Sequence, residues 1–212
     1  MTGYEQSKIW TRRAVVGAAV AAAAFGFQGA AMAGVAVGAP APAFSGLTSE
    51  GASVSLADYA GKTVVLEWTN HGCPYVQKFY DAGAMQALQT SAADEDVVWL
   101  SVISSAPGKQ GHVSPAEAND LTASREAAPA AVVLDESGDI GRAYGAKTTP
   151  HMYVIDGEGV LRYAGAIDDQ PTAAASSLDG ATNYVVAALS ALDEGADVDP
   201  QQTAAYGCSV KY

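Results

Sequence analysis

Val64-Val65-Leu66-Glu67-Trp68-Thr69-Asn70-His71-Gly72-Cys73-Pro74-Tyr75-Val76 decides how this chain is read. An apolar run of strand formers meets a short polar bend, and a cysteine and a proline then open an amphipathic helical pattern. The spacing predicts strand, turn and helix start. A thiol at a helix N-terminus lies where unpaired backbone N–H groups and the helix dipole favour negative charge, which raises its thiolate fraction. Cys73 is therefore the nucleophile candidate; the alternative is a small buried hydrophobe, the common state of a free cysteine.

Outward from that stretch, alternating strand and helix patterns continue. Phe44 to Leu56 reads as a small hairpin about the turn Ser49-Glu50-Gly51. Thr63 to Trp68 is continuous enough to be a strand buried on both faces, and Pro74 to Thr90 follows as one helix with Val76, Phe79, Tyr80, Met85 and Leu88 inward. Val97 to Ile103 is the next strand. Ser114-Pro115-Ala116-Glu117 is a capping box with proline at the first helical position, so a second helix runs to about Glu126. Ala131 to Leu134 is a short strand, and Ile140 to Tyr144 a brief helix stopped by Gly145. His151 to Ile155 and Val160 to Ala164 flank Asp156-Gly157-Glu158-Gly159, a hairpin signal, and Thr182 to Leu192 is the last helix. Asp168 and Asp169 fall in a polar loop, where they could line the edge of the site but read better as solvated acids; Trp68 and Trp99 fall in strand runs and read as core. The pattern makes an α/β fold, a mixed central sheet with helices on both faces, and sets Cys73 at the carboxyl end of a central strand, where ligands collect in open sheets.

The flanks have their own character. Residues 1–13 carry Lys8, Arg12 and Arg13 against Glu5, residues 14–27 are apolar and uncharged, and Ala31-Met32-Ala33 supplies the small residues of a cleavage site. Residues 1–33 thus read as a signal peptide, with Arg12-Arg13 resembling a twin-arginine signal although Val15 stands where phenylalanine is usual. The expected location is periplasmic or secreted, with membrane contact only through that segment if it stays uncleaved. Residues 34–43 form a flexible lead, residues 44–194 the domain, and residues 195–212 a tail without clear periodicity that carries Cys208.

Of the 212 residues, 23 are acidic and 11 are Lys or Arg, giving a formal charge of −12; loss of residues 1–33 makes it −14. A negative surface repels nucleic acid and anionic lipid, so neither is expected as a partner. Two cysteines, Cys73 and Cys208, fall in the exported part, where a disulfide is allowed.

These residues resemble the thioredoxin-fold redoxins, most closely the peroxiredoxin-like proteins whose active segment reads like His71-Gly72-Cys73-Pro74-Tyr75-Val76. Two further stretches carry the likeness. Thr148-Thr149-Pro150 before His151 to Ile155 looks like the cis-proline loop of thioredoxin-like reductases, and Asp135-Glu136-Ser137-Gly138 with Arg142-Ala143-Tyr144-Gly145 is similar to the run that precedes it. Ser114 to Leu134 corresponds to the redoxin-type insertion.

The resemblance implies a thiol-disulfide oxidoreductase or thiol-dependent antioxidant protein with no cofactor and no metal. Its partners would be a thiol or disulfide substrate protein or a small-molecule oxidant, and an external thiol reductant. It further implies a cis Pro150 that leaves the Thr149 backbone free to pair with a substrate chain. Glu67 falls where thioredoxins hold a buried proton-shuttling acid; an outward strand residue with no role is the other reading. His71 either helps ionise Cys73 or is solvated, and Asn70 and Tyr75 shape the mouth of the site. Cys208 could resolve an oxidised Cys73, form a permanent disulfide, or stay free.

The sequence also departs from the family. Val76 holds the position of a second cysteine, Asn70 stands where peroxiredoxins have threonine, and Pro150-His151-Met152 lacks their arginine, so fast peroxide reduction is not implied. A slow thiol peroxidase, or a soft-metal module holding Cu(I) through Cys73 with His71 or His151, is the alternative.

Overall fold

Apolar residues two apart in Val64–Trp68 feed two separate cores, and the molecule is layered accordingly. The computed structural model describes residues 35–212; the signal peptide expected over residues 1–33 lies outside them. Seven strands form one sheet: β1 (Ser45–Thr48), β2 (Ser53–Ser55), β3 (Val64–Trp68), β4 (Val98–Ile103), β5 (Ala131–Leu134), β7 (His151–Ile155) and β8 (Leu161–Gly165), in the order β2-β1-β5-β4-β3-β7-β8. A separate two-stranded ladder joins β6 (Thr148–Thr149) to β9 (Cys208–Ser209). Among the described residues five α-helices accompany them: α1 (Pro74–Asp81), α2 (Ala84–Asp94), α3 (Pro115–Ser124), α4 (Asp139–Tyr144) and α5 (Tyr184–Asp193).

The sheet is mixed. β3 runs parallel to β4 and antiparallel to β7, and β4 runs parallel to β5, which β1 joins antiparallel. Val64, Leu66 and Trp68 pack on one face with Leu100, Val102, Ile140, Tyr144 and Tyr153. Val65 turns to the other face with Val76, Phe79, Met85, Trp99, Met152 and Val185, beneath α1, α2 and α5. This is the α/β architecture with helices on both faces that the sequence pattern predicts, and the two-residue period of β3 is what separates its layers.

Local chemistry sets the element ends. Ser114 caps α3 by accepting from the Glu117 N–H at 3.3 Å while the Glu117 carboxylate accepts from the Ser114 N–H at 2.7 Å, the reciprocal pairing a capping box provides. The single helix expected over Pro74 to Thr90 is instead two. Gly83 has φ +73°, a left-handed conformation that costs glycine little, and the chain turns there between α1 and α2. The hairpin expected from Phe44 to Leu56 forms as β1 and β2, and also extends the main sheet through Leu47 opposite Leu134.

Candidate redox site

Cys73 is the N-cap of α1, with extended φ −87° and ψ 121°, and Pro74 follows in the first turn. The bend before it is tied down atom by atom. The Cys73 N–H donates to the Asn70 carbonyl at 3.0 Å, and the Gly72 N–H to Asn70 Oδ1 at 2.9 Å. Asn70 Nδ2 donates to Gln110 Oε1 at 2.8 Å, while Arg125 Nη2 and Gln77 Nε2 both donate to the His71 carbonyl, at 3.0 and 3.1 Å. A sulfur on so constrained a bend has one direction to point.

That direction is toward β6. The Cys73 side chain is fully buried, and its thiol donates to the Thr149 carbonyl at 3.1 Å. The Thr149–Pro150 peptide is cis. Thr149 in turn lies opposite Cys208 in the antiparallel ladder of β6 and β9, so residues 135 apart in sequence share one site. Both cysteines are free thiols.

The two sulfurs have opposite acidities. Burial pushes the Cys73 thiol up, but hydrogen bonds from the Cys208 thiol, the Thr149 hydroxyl and the Cys208 and Val76 N–H groups outweigh it, and the net pKa is lowered. The Thr149 hydroxyl is buried with no partner in the thiol form, so a donor stands ready for the anion. Cys208 is half-buried, and burial followed by the hydrogen bond and charge of Cys73 pushes its thiol up to about 11. The two shifts thus run in opposite directions, down on Cys73 and up on Cys208.

The tail is held in place by a group the sequence does not advertise. Lys78, on α1, is fully buried and pairs with Asp168 at 3.2 Å; its ammonium also donates to the Gln170 carbonyl at 2.9 Å and Ser177 Oγ at 3.2 Å. Tyr206 donates its hydroxyl to the other oxygen of Asp168, and its ring meets Tyr75 edge to face at 5.8 Å. Asp168 is thus a buried partner, not the solvated loop acid expected; Asp169 is largely unburied and accepts from the Thr182 N–H at 3.0 Å. Gly207 has φ +130°, and a Cβ there would collide with the Thr149 carbonyl, so glycine lets β9 approach.

The remaining expected site residues divide. Asn70 shapes the bend and Tyr75 braces the tail through Tyr206. Glu67 is fully buried, which removes the outward reading, and its carboxylate accepts from Trp99 Nε1 (2.9 Å), Ser101 Oγ (3.0 Å), the Tyr80 hydroxyl (3.0 Å) and Gln89 Nε2 (3.4 Å). Those bonds lead to α1, α2 and β4, and none runs to either sulfur. His71 lines a small cavity with Thr69, Tyr80 and Arg125, its buried Nδ1 without a hydrogen-bond partner. Burial and then the Arg125 charge lower its pKa, against a raising contribution from Glu117. His151 is buried, its Nδ1 engaged by the Lys147 N–H at 3.3 Å and the Tyr153 hydroxyl at 3.2 Å. Among the described residues, no three His, Cys, Asp or Glu side chains converge as a metal site. Trp68 and Trp99 are core, as expected, and Trp68 donates to Ser104 Oγ at 2.9 Å.

Comparison with solved structures agrees with this architecture. An uncharacterized conserved protein from Geobacillus kaustophilus is 25% identical, with TM-score 0.71 over 84% of this chain and 92% of its own. A hypothetical protein from Sinorhizobium meliloti is 20% identical, with TM-score 0.72 over 85% and 96%. A putative thiol:disulfide interchange protein DsbE from Chlorobium tepidum is 23% identical, with TM-score 0.50 over 61% and 84%, and shares the thioredoxin-like fold. No curated protein matches the chain. The fold defines a thioredoxin-superfamily protein. Within that class, the family model described as Redoxin matches residues 36–182, and the chain belongs to the Redoxin family.

Proposed function

We propose that this protein is an exported thiol-disulfide oxidoreductase, acting as a thiol-dependent antioxidant, in which Cys73 is the redox nucleophile and Cys208 its resolving thiol. The observation that carries the reading is the pairing of Cys208 with Thr149, whose carbonyl takes the Cys73 thiol at 3.1 Å. The Cys73 thiolate attacks a disulfide, giving a mixed disulfide and a released thiolate. Alternatively it attacks a hydroperoxide, giving a sulfenic acid and an alcohol or water. The Cys208 sulfur then displaces the bound thiol, or condenses with the sulfenic acid as water leaves. Either route ends in a Cys73–Cys208 disulfide, which an external thiol reduces. Export is supported by the basic, apolar and small-residue order of residues 1–33.

Mass spectrometry of the mature protein after one equivalent of hydrogen peroxide or a small disulfide tests this. Wild type should lose two hydrogens and show a Cys73–Cys208 linked peptide. Cys208→Ser should stop at a sulfenic acid or mixed disulfide on Cys73, and Cys73→Ser should give no linked peptide. A wild type that forms no such disulfide with either oxidant removes the proposal.

A further inference from the structure

The geometry points to Cys208, not Cys73, as the sulfur through which the oxidised protein exchanges with external thiols, and to low-molecular-weight thiols as the class of reductant. This rests on the Cys73–Cys208 exchange proposed above. A thiolate attacking a disulfide approaches one sulfur from the side opposite the S–S bond, because the antibonding orbital it fills lies there. Cys73 belongs to the apolar cluster that holds Val65, Val76 and Met152, and it is fully buried. Cys208 is half-buried on a terminal strand. Cys208 packs against the same cluster, but of the two cysteines it alone keeps solvent exposure.

The edge a polypeptide would use is already taken. In strand addition an extended chain pairs with exposed backbone, and here β9 fills that place on β6, Ser209 opposite Thr148 and Cys208 opposite Thr149. The seat is fixed beyond the ladder. The Val210 N–H donates to the Lys147 carbonyl at 3.0 Å, the Ala106 N–H to the Lys211 carbonyl at 2.9 Å, and the Tyr212 hydroxyl to the Ala146 carbonyl at 2.8 Å. Tyr206 adds its bond to the buried Asp168. The chain occupies its own substrate groove, so an incoming partner must reach Cys208 without docking as a strand.

The chemistry balances in two steps. A small thiolate bonds to the Cys208 sulfur and the S–S bond breaks with both electrons going to Cys73, which leaves as the thiolate its donors stabilise. A second small thiolate attacks the outer sulfur of that mixed disulfide, releasing a small disulfide, and Cys208 takes up a proton.

Oxidised full-length mature protein is mixed with limiting 2-mercaptoethanol, quenched in acid, alkylated and mapped by peptide mass spectrometry. The adduct is expected on Cys208 in about tenfold excess over Cys73; a map with Cys73 equal or dominant overturns the assignment. An unstructured single-cysteine peptide of matched thiol pKa should reduce the protein no faster than 2-mercaptoethanol. A faster peptide docks as a strand and overturns the small-thiol class. Protein that cannot first be oxidised to the Cys73–Cys208 disulfide removes the oxidoreductase reading itself, a result distinct from either.

Discussion

Cys208 lies directly across a two-residue antiparallel ladder from Thr149, and the same Thr149 carbonyl accepts the Cys73 thiol at 3.1 Å. One backbone unit therefore registers both sulfurs. The Cys208 thiol and N–H stabilise negative charge on Cys73, and the thiolate in return disfavours a second anion on Cys208.

The first prediction follows from that coupling. Iodoacetamide modification of Cys73, followed against pH, should show a midpoint below that of an ordinary thiol, while Cys208 should titrate near 11. Cys208→Ala removes one donor to the anion, so the Cys73 midpoint should move up. A midpoint unchanged in Cys208→Ala would detach the acidity of Cys73 from the tail.

Lys78 and Asp168 supply the second. Taking one partner from a buried ion pair strands the other charge without water, at a cost of about 3–5 kcal/mol. Both side chains are shielded from solvent, so Lys78→Met should lower unfolding free energy in urea by that order. Lys78→Met with Asp168→Asn should recover part of the loss, because no lone charge remains. A Lys78→Met loss no larger than that of an exposed substitution would show that the pair does not hold the tail.

The legibility of these features in the sequence tracks their range. The strand, bend and helix about Cys73 are local, written in adjacent residues, and so is the α3 capping box. The cis Pro150 was available only through family likeness. The break at Gly83 is also a local signal, a glycine inside an apolar helical pattern, outweighed there by the period continuing to Met85 and Leu88. Lys78 was hidden because nothing near it in the chain marks it as buried; its partner Asp168 lies 90 positions away. β9 has two residues, too few for any period, and its partner strand is equally short. Long-range pairing of single residues is what a one-dimensional pattern lacks.

A third prediction concerns acid. His151 is held neutral, its pKa lowered to about 4 by burial and then by Lys147. The unfolded chain binds a proton there below about pH 6.5, which the native state refuses until about pH 4, so stability falls as pH drops through that window, by about 3 kcal/mol for this group. Above pH 6.5 the effect is absent. In His151→Gln the amide oxygen can still accept from the Lys147 N–H, and the fall in urea midpoint between pH 6.5 and pH 4 should shrink. An equal fall in wild type and variant would assign acid sensitivity elsewhere.

Glu67 separates a structural from a chemical part for a buried acid. Its two oxygens accept from Tyr80, Gln89, Trp99 and Ser101, joining β3 to α1, α2 and β4, with no hydrogen bond to Cys73 or Cys208. Glu67→Gln keeps an oxygen to accept from Trp99, Ser101 and Gln89 and sets its amide against the Tyr80 hydroxyl, which can turn to accept, so only the charge-assisted part of these bonds is lost, at about 1 kcal/mol. Stability in urea should fall by that amount. The pH profile of Cys73–Cys208 disulfide formation should keep its shape, because it is set by the sulfurs and their shared backbone. A profile that loses an ionisation in Glu67→Gln would instead give the carboxylate a proton-transfer part, reached by opening its hydrogen bonds during turnover.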